Sequence, residues 1–143
     1  MKKMKLLILI ILFSLKAFAP SERVMYIPEG TVINPYEAIW EATCYIETRH
    51  NAYAIGDLNF KEGSYGIAQI RRSRLLDYYQ QTGIWYNVTD MFSIEKSKEV
   101  WMYYASQYYP WQIDRIAREW NGGPRGMQKK STIKYFKKVK EKL

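Results

Sequence analysis

A single cysteine, Cys44, and a single histidine, His50, stand in 143 residues. An intramolecular disulfide framework and a metal centre built on paired cysteines or histidines are therefore excluded, and no metal or cofactor is expected. Proline and glycine are sparse, at 5 and 8 residues, which rules out a collagen-like or low-complexity polymer. Alternating apolar and polar runs bounded by turn residues are missing too, which argues against a β-sandwich or barrel. The apolar run Leu6 to Leu15 is broken only by Ser14 and is too short to cross a bilayer as a stable helix.

What remains is the profile of one globular domain, 48% hydrophobic and 16% aromatic. The basic start Met1 to Lys5, the apolar run and the small-residue pattern Ala17-Phe18-Ala19 read as a secretory signal peptide over residues 1–19. An exported protein, periplasmic or extracellular, follows from it. Lys16 and Pro20 suit a cleavage site poorly, so an uncleaved membrane tether stays open. The about 124 residues after Ala19 are enough to bury a core without cross-links.

Charge is unevenly placed. Beyond residue 19 there are 18 basic and 14 acidic side chains, a balance of +4. From Arg125 to Leu143 there are eight basic residues and one acid, or +7, leaving −3 for Pro20 to Pro124. The basic tail reads first as a solvated helix face, and second as weakly attracted to anionic wall polymers or membrane. Nucleic acid is not expected as a partner, because no nucleic-acid motif accompanies the charge.

Residues 20–33 form a lead-in, and a helical domain is expected over 34–143. Asn34, Pro35 and Glu37 approximate an N-cap, a first-turn proline and a capping box. Tyr36, Ile39, Trp40, Thr43, Cys44 and Glu47 then share one helix face. Further helices are expected from Ser73 to about Gly83, from Ser93 to Pro110, over Ile113 to Trp120 and from about Ser131. In the last, Ile133, Phe136 and Val139 are expected inward. His50 to Tyr65 reads as a long functional loop. The fold class is mainly α.

Glu47 extends an apolar stripe at a helix C-terminus, where burial and the helix dipole both favour its neutral form. Such a carboxyl can protonate a leaving group near neutral pH. Hydrolytic glycosidases usually pair two carboxyls; Asp57 is the nearer candidate for a second, and Glu62 a weaker one. One carboxyl suffices where the substrate supplies its own nucleophile, as a muramyl sugar does through its acetamido oxygen and C6 hydroxyl.

The order Glu47-Thr48-Arg49, Gly56-Asp57, Gly63-Ser64-Tyr65-Gly66-Ile67-Ala68-Gln69-Ile70, Trp120-Asn121-Gly122-Gly123 and Tyr135 resembles the lysozyme-like lytic transglycosylase superfamily, over about Asn34 to Val139. The Gly56-Asp57 pair resembles goose-type lysozymes. The resemblance implies a lysozyme-like single helical domain with a loop-built substrate groove, Glu47 as catalytic acid, and Asp57 as an aid to water. It implies substrate binding by Ser64, Tyr65, Gly66, Gln69, Trp120, Asn121 and Tyr135. Thr48, Ala68, Trp120 and Gly122 depart from the family's Ser, Met, Tyr and Ala, and Arg71 replaces a family Asp. The expected activity is cleavage of the β-1,4 bond between N-acetylmuramic acid and N-acetylglucosamine in peptidoglycan strands by a monomeric enzyme, forming 1,6-anhydro ends. The alternatives are hydrolysis with Asp57, or a non-catalytic cell-wall-binding protein that keeps the groove.

Overall fold

In the computed structural model, residues 33–59 and 62–143 are described. The expected signal segment, and the lead-in apart from Ile33, lie outside them. Asn34 to Leu143 forms one compact unit. Its helices are α1 (Glu37–Thr48), α2 (Arg72–Thr82), α3 (Ile94–Ala105), α4 (Ile113–Gly122) and α5 (Ser131–Lys140). Between α1 and α2 run three two-residue strands, β1 (Ile55–Gly56), β2 (Ser64–Tyr65) and β3 (Ile70–Arg71), forming an antiparallel sheet in the order β1-β2-β3. Its register pairs Ile55 with Tyr65 and Tyr65 with Ile70. The chain is thus mainly helical. The sheet is a departure from the expected loop, because strands of two residues are too short to show alternation.

The apolar stripe of α1 is buried as expected through Ile39, Trp40, Thr43 and Cys44. Trp40 packs on Trp101 of α3 with ring centroids 5.5 Å apart, and Trp101 meets Trp120 of α4 edge-on at 6.4 Å. These three indoles join the helices at the centre of the core. Burial pushes the Cys44 thiol well above its ordinary pKa, as suits a structural cysteine.

Several helix ends differ from expectation. The Asn34 side chain accepts from Tyr36 N at 3.0 Å, so it caps a turn ahead of α1, while Glu37 pairs with Lys98 at 2.5 Å and closes no capping box. Helix α2 starts at Arg72; Ser73 N donates to Glu62 at 3.1 Å, which makes Glu62 a helix-start anchor and not a second site carboxyl. Ser93 does cap α3, accepting from Lys96 N, but that helix ends at Ala105, well before Pro110. On α5 the inward residues are Thr132, Tyr135 and Val139, with Ile133 40% exposed. The face is rotated because Thr132 binds the carbonyl of Gly126 at 2.8 Å and the guanidinium of Arg118 at 3.0 Å.

The turn between β2 and β3 depends on Gly66. Its φ of +74° is left-handed, and a Cβ there would lie 1.8 Å from the Met91 carbonyl oxygen. Gly83 has a similar φ of +76° but open space around it. Gly83→Ala is therefore expected to cost about 1 kcal/mol for conformation alone, and Gly66→Ala more than about 2 kcal/mol, because the Met91 backbone must also move. Urea unfolding of both variants checks this; equal losses would place the Gly66 requirement in φ only.

Candidate functional site

Helix α1 ends in two left-handed residues, Arg49 (φ 55°) and His50 (φ 64°), whose amides bond the carbonyls of Tyr45 and Cys44. That sharp stop leaves Glu47 on the last turn, facing a groove of about 770 Å³. Thr48 Oγ1 donates to the Ile67 carbonyl at 2.9 Å, pinning the β2–β3 turn against the helix end.

Tyr135 Oη donates to Glu47 Oε1 at 2.7 Å, joining residues 88 apart in sequence. Burial pushes the Glu47 carboxyl from 4.5 up to about 7, and Asp57 adds to the rise; the Tyr135 hydrogen bond, Arg71 and Arg74 oppose it. The phenol of Tyr135 is itself held well above its ordinary value by burial and by the neighbouring Glu47. It therefore serves as a fixed donor to Glu47.

Asp57, at a left-handed φ of 54°, pairs with Arg71 at 2.6 Å. Gln69, also left-handed at 54°, accepts from Ser64 Oγ at 2.7 Å and donates to the Gly66 carbonyl at 3.0 Å. Its amide braces the turn. Gly56 sits beneath it: a Cβ there would lie 2.2 Å from Gln69 Oε1 and push that amide aside.

Of the residues expected from sequence, Glu47, Asp57, Gln69, Trp120 and Asn121 line the groove, whereas Ser64, Tyr65, Gly66 and Tyr135 do not. Ser64 and Gly66 are buried supports. Tyr65 turns toward Phe92, at 6.4 Å, and Trp120 is only 8% exposed, so little of its ring reaches a ligand. Trp85 stacks edge-on against Tyr79, at 5.4 Å, and is not part of the groove lining.

Arg74 is the residue sequence reasoning missed. Its guanidinium lies 4.4 Å from the Trp120 ring centroid and 4.7 Å from that of Tyr104, and it donates to the Trp120 carbonyl at 2.9 Å. Burial lowers its pKa, while Tyr104, Asp77 and Glu47 raise it. Its signal in the sequence was slight: a basic residue in the first turn of a helix, where basic charge is otherwise disfavoured. No cluster of three or more His, Cys, Asp or Glu side chains among the described residues could hold a metal ion.

No family model matches this chain, and no curated protein does. Its fold is similar to a chain of the crystal structure of Aeromonas hydrophila PliI in complex with Meretrix lusoria lysozyme, with a TM-score of 0.59 and 24% identity, covering 73% of this chain and 88% of that one. At that identity the likeness is one of fold.

These comparisons correct the expected function. The similar structure is an assembly of PliI with a lysozyme, not a lytic transglycosylase, and the bond cleavage, the 1,6-anhydro product and the lyase and glycosidase assignments are withdrawn. Asp57, the second carboxylate of the hydrolytic variant, is paired with Arg71 at the groove.

The raised pKa of Glu47 has a consequence for stability. The folded chain holds this proton more tightly than the unfolded chain, so the contribution is fully present below about pH 4.5 and is lost as pH rises through 7. Between pH 5 and 8 the wild type is expected to lose about 2 to 3 kcal/mol relative to Glu47→Gln. Urea unfolding across that range checks it, and parallel pH profiles for the two proteins would contradict it.

Proposed function

We propose that the protein is a binding protein that keeps a lysozyme-like groove, and that the groove receives a projecting segment of a protein partner over Glu47. The observation that carries this reading is the buried carboxyl held by Tyr135 at the groove's base, about half of which is protonated at neutral pH. Near neutral pH it offers one O–H donor and one acceptor at a fixed position, so a backbone amide and carbonyl on an inserted segment can both be satisfied. The volume falls within the usual range of ligand sites. Around it, Asp57 is paired with Arg71, Asp77 accepts from Tyr104 at 2.6 Å, and Glu119 is bonded by Tyr108 and Arg115. The wall is thus preorganised, which lowers the cost of binding. The likeness to a chain from a protein–protein complex supports the same reading, and the N-terminal basic and apolar segment supports action outside the cytoplasm.

Calorimetric titration of the full chain with Aeromonas hydrophila PliI and, separately, with Meretrix lusoria lysozyme tests the proposal. One of the two is expected to bind at one to one, with affinity lowered at least about tenfold by Glu47→Lys, which buries an unpaired charge in the contact. Absence of binding to both proteins would overturn it. Release of soluble sugars from purified peptidoglycan by the wild type, and not by Glu47→Gln, would replace it with a catalytic reading.

A further inference from the structure

The outer face of α5 carries Lys130, Lys134 and Lys137, flanked by Lys138 and Lys140, all exposed. None of the five takes part in an ion pair among the described residues. Lys130, Lys134 and Lys137, at i, i+4 and i+7, run along one stripe, and Lys138 and Lys140 lie to either side of it. Only Glu141 interrupts the charge at its end. The opposite face, with Thr132, Tyr135 and Val139, is committed to the core. This helix cannot turn its apolar side outward without breaking the Tyr135–Glu47 bond.

We propose that the lysine face of α5 is an electrostatic docking surface for an anionic lipid bilayer. Charge complementarity is the first argument: four to eight clustered basic residues on a helix face suffice to hold a protein at an anionic leaflet. Shape is the second, since the stripe of Lys130, Lys134 and Lys137 can lie along a flat surface, with the long side chains of Lys138 and Lys140 reaching it from either side. The apolar side chains Ile133 and Leu143, 40% and 49% exposed, border the stripe and can reach the interface. Docking requires only that the charges face the lipid, so the surface acts independently of what fills the groove.

The test is co-sedimentation of the full chain with vesicles of phosphatidylcholine alone and of phosphatidylcholine mixed with phosphatidylglycerol, in parallel with Lys134→Gln/Lys137→Gln/Lys138→Gln. Each lysine near an anionic leaflet is worth somewhat less than a tenfold step, so the triple variant is expected to bind the mixed vesicles about a hundredfold more weakly. Raising the salt to about 0.5 M is expected to release the wild type, because exposed charges are screened within a few ångströms there. The substituted side chains are exposed, so an unchanged melting temperature certifies the variant's fold. Equal binding of variant and wild type, or equal binding to neutral vesicles, would overturn the proposal and assign attachment to the apolar N-terminal run. Soluble polyglycerol phphosphate that strips the protein from the mixed vesicles at equal phosphate concentration would overturn it in favour of an anionic polymer.

Discussion

The hydrogen bond from Tyr135 to Glu47 fixes the relation between the two ends of the folded unit. It fastens the last turn of α1 to the middle of α5, and everything that forms the groove is arranged about it. A buried carboxylate without a partner would cost several kcal/mol. Here the group keeps its proton to about pH 7 and spends one oxygen on a phenol that burial also keeps protonated. The same pairing, together with Thr132, holds one face of α5 inward and leaves its lysines toward solvent.

Around that bond the irregular segment between α1 and α2 is held by short polar contacts, not by an apolar core of its own. Thr48 holds Ile67, Gln69 holds Ser64 and Gly66, and Arg71 holds Asp57. Left-handed backbone at Asp57, Gly66 and Gln69 lets so few residues turn three times. Strain of this kind persists only where surrounding contacts over-determine it. Those contacts are what the Gly-rich stretch and its amide supply.

Much of the helical frame was legible because burial leaves a periodic trace. Ile39, Trp40, Thr43 and Cys44 on α1, and Ile116, Ala117 and Trp120 on α4, lie on the faces that their spacing indicates. Glu47 stood out as an acid on an apolar stripe. The rest was hidden where tertiary hydrogen bonds outweigh local preference. Thr132 rotates α5 by satisfying Gly126 and Arg118, and Glu62 takes over the start of α2 from Ser73. The motif order that resembles a peptidoglycan-cleaving family marked the groove's position, but Asp57 is committed to Arg71 and Ser64 to Gln69. Such commitments are set by side chains meeting across the fold, which spacing along the chain does not report.

The account rests on Glu47 being a buried, tyrosine-held carboxyl whose titration is raised to about pH 7. Carbon-13 NMR of glutamate side-chain carboxyls in the full chain, with the Glu47 resonance assigned by its loss in Glu47→Gln, measures this directly. A midpoint near 7 is expected, moving higher in Tyr135→Phe because the phenol's hydrogen bond favours the charged form. An ordinary midpoint near 4.5 in both proteins would contradict the account.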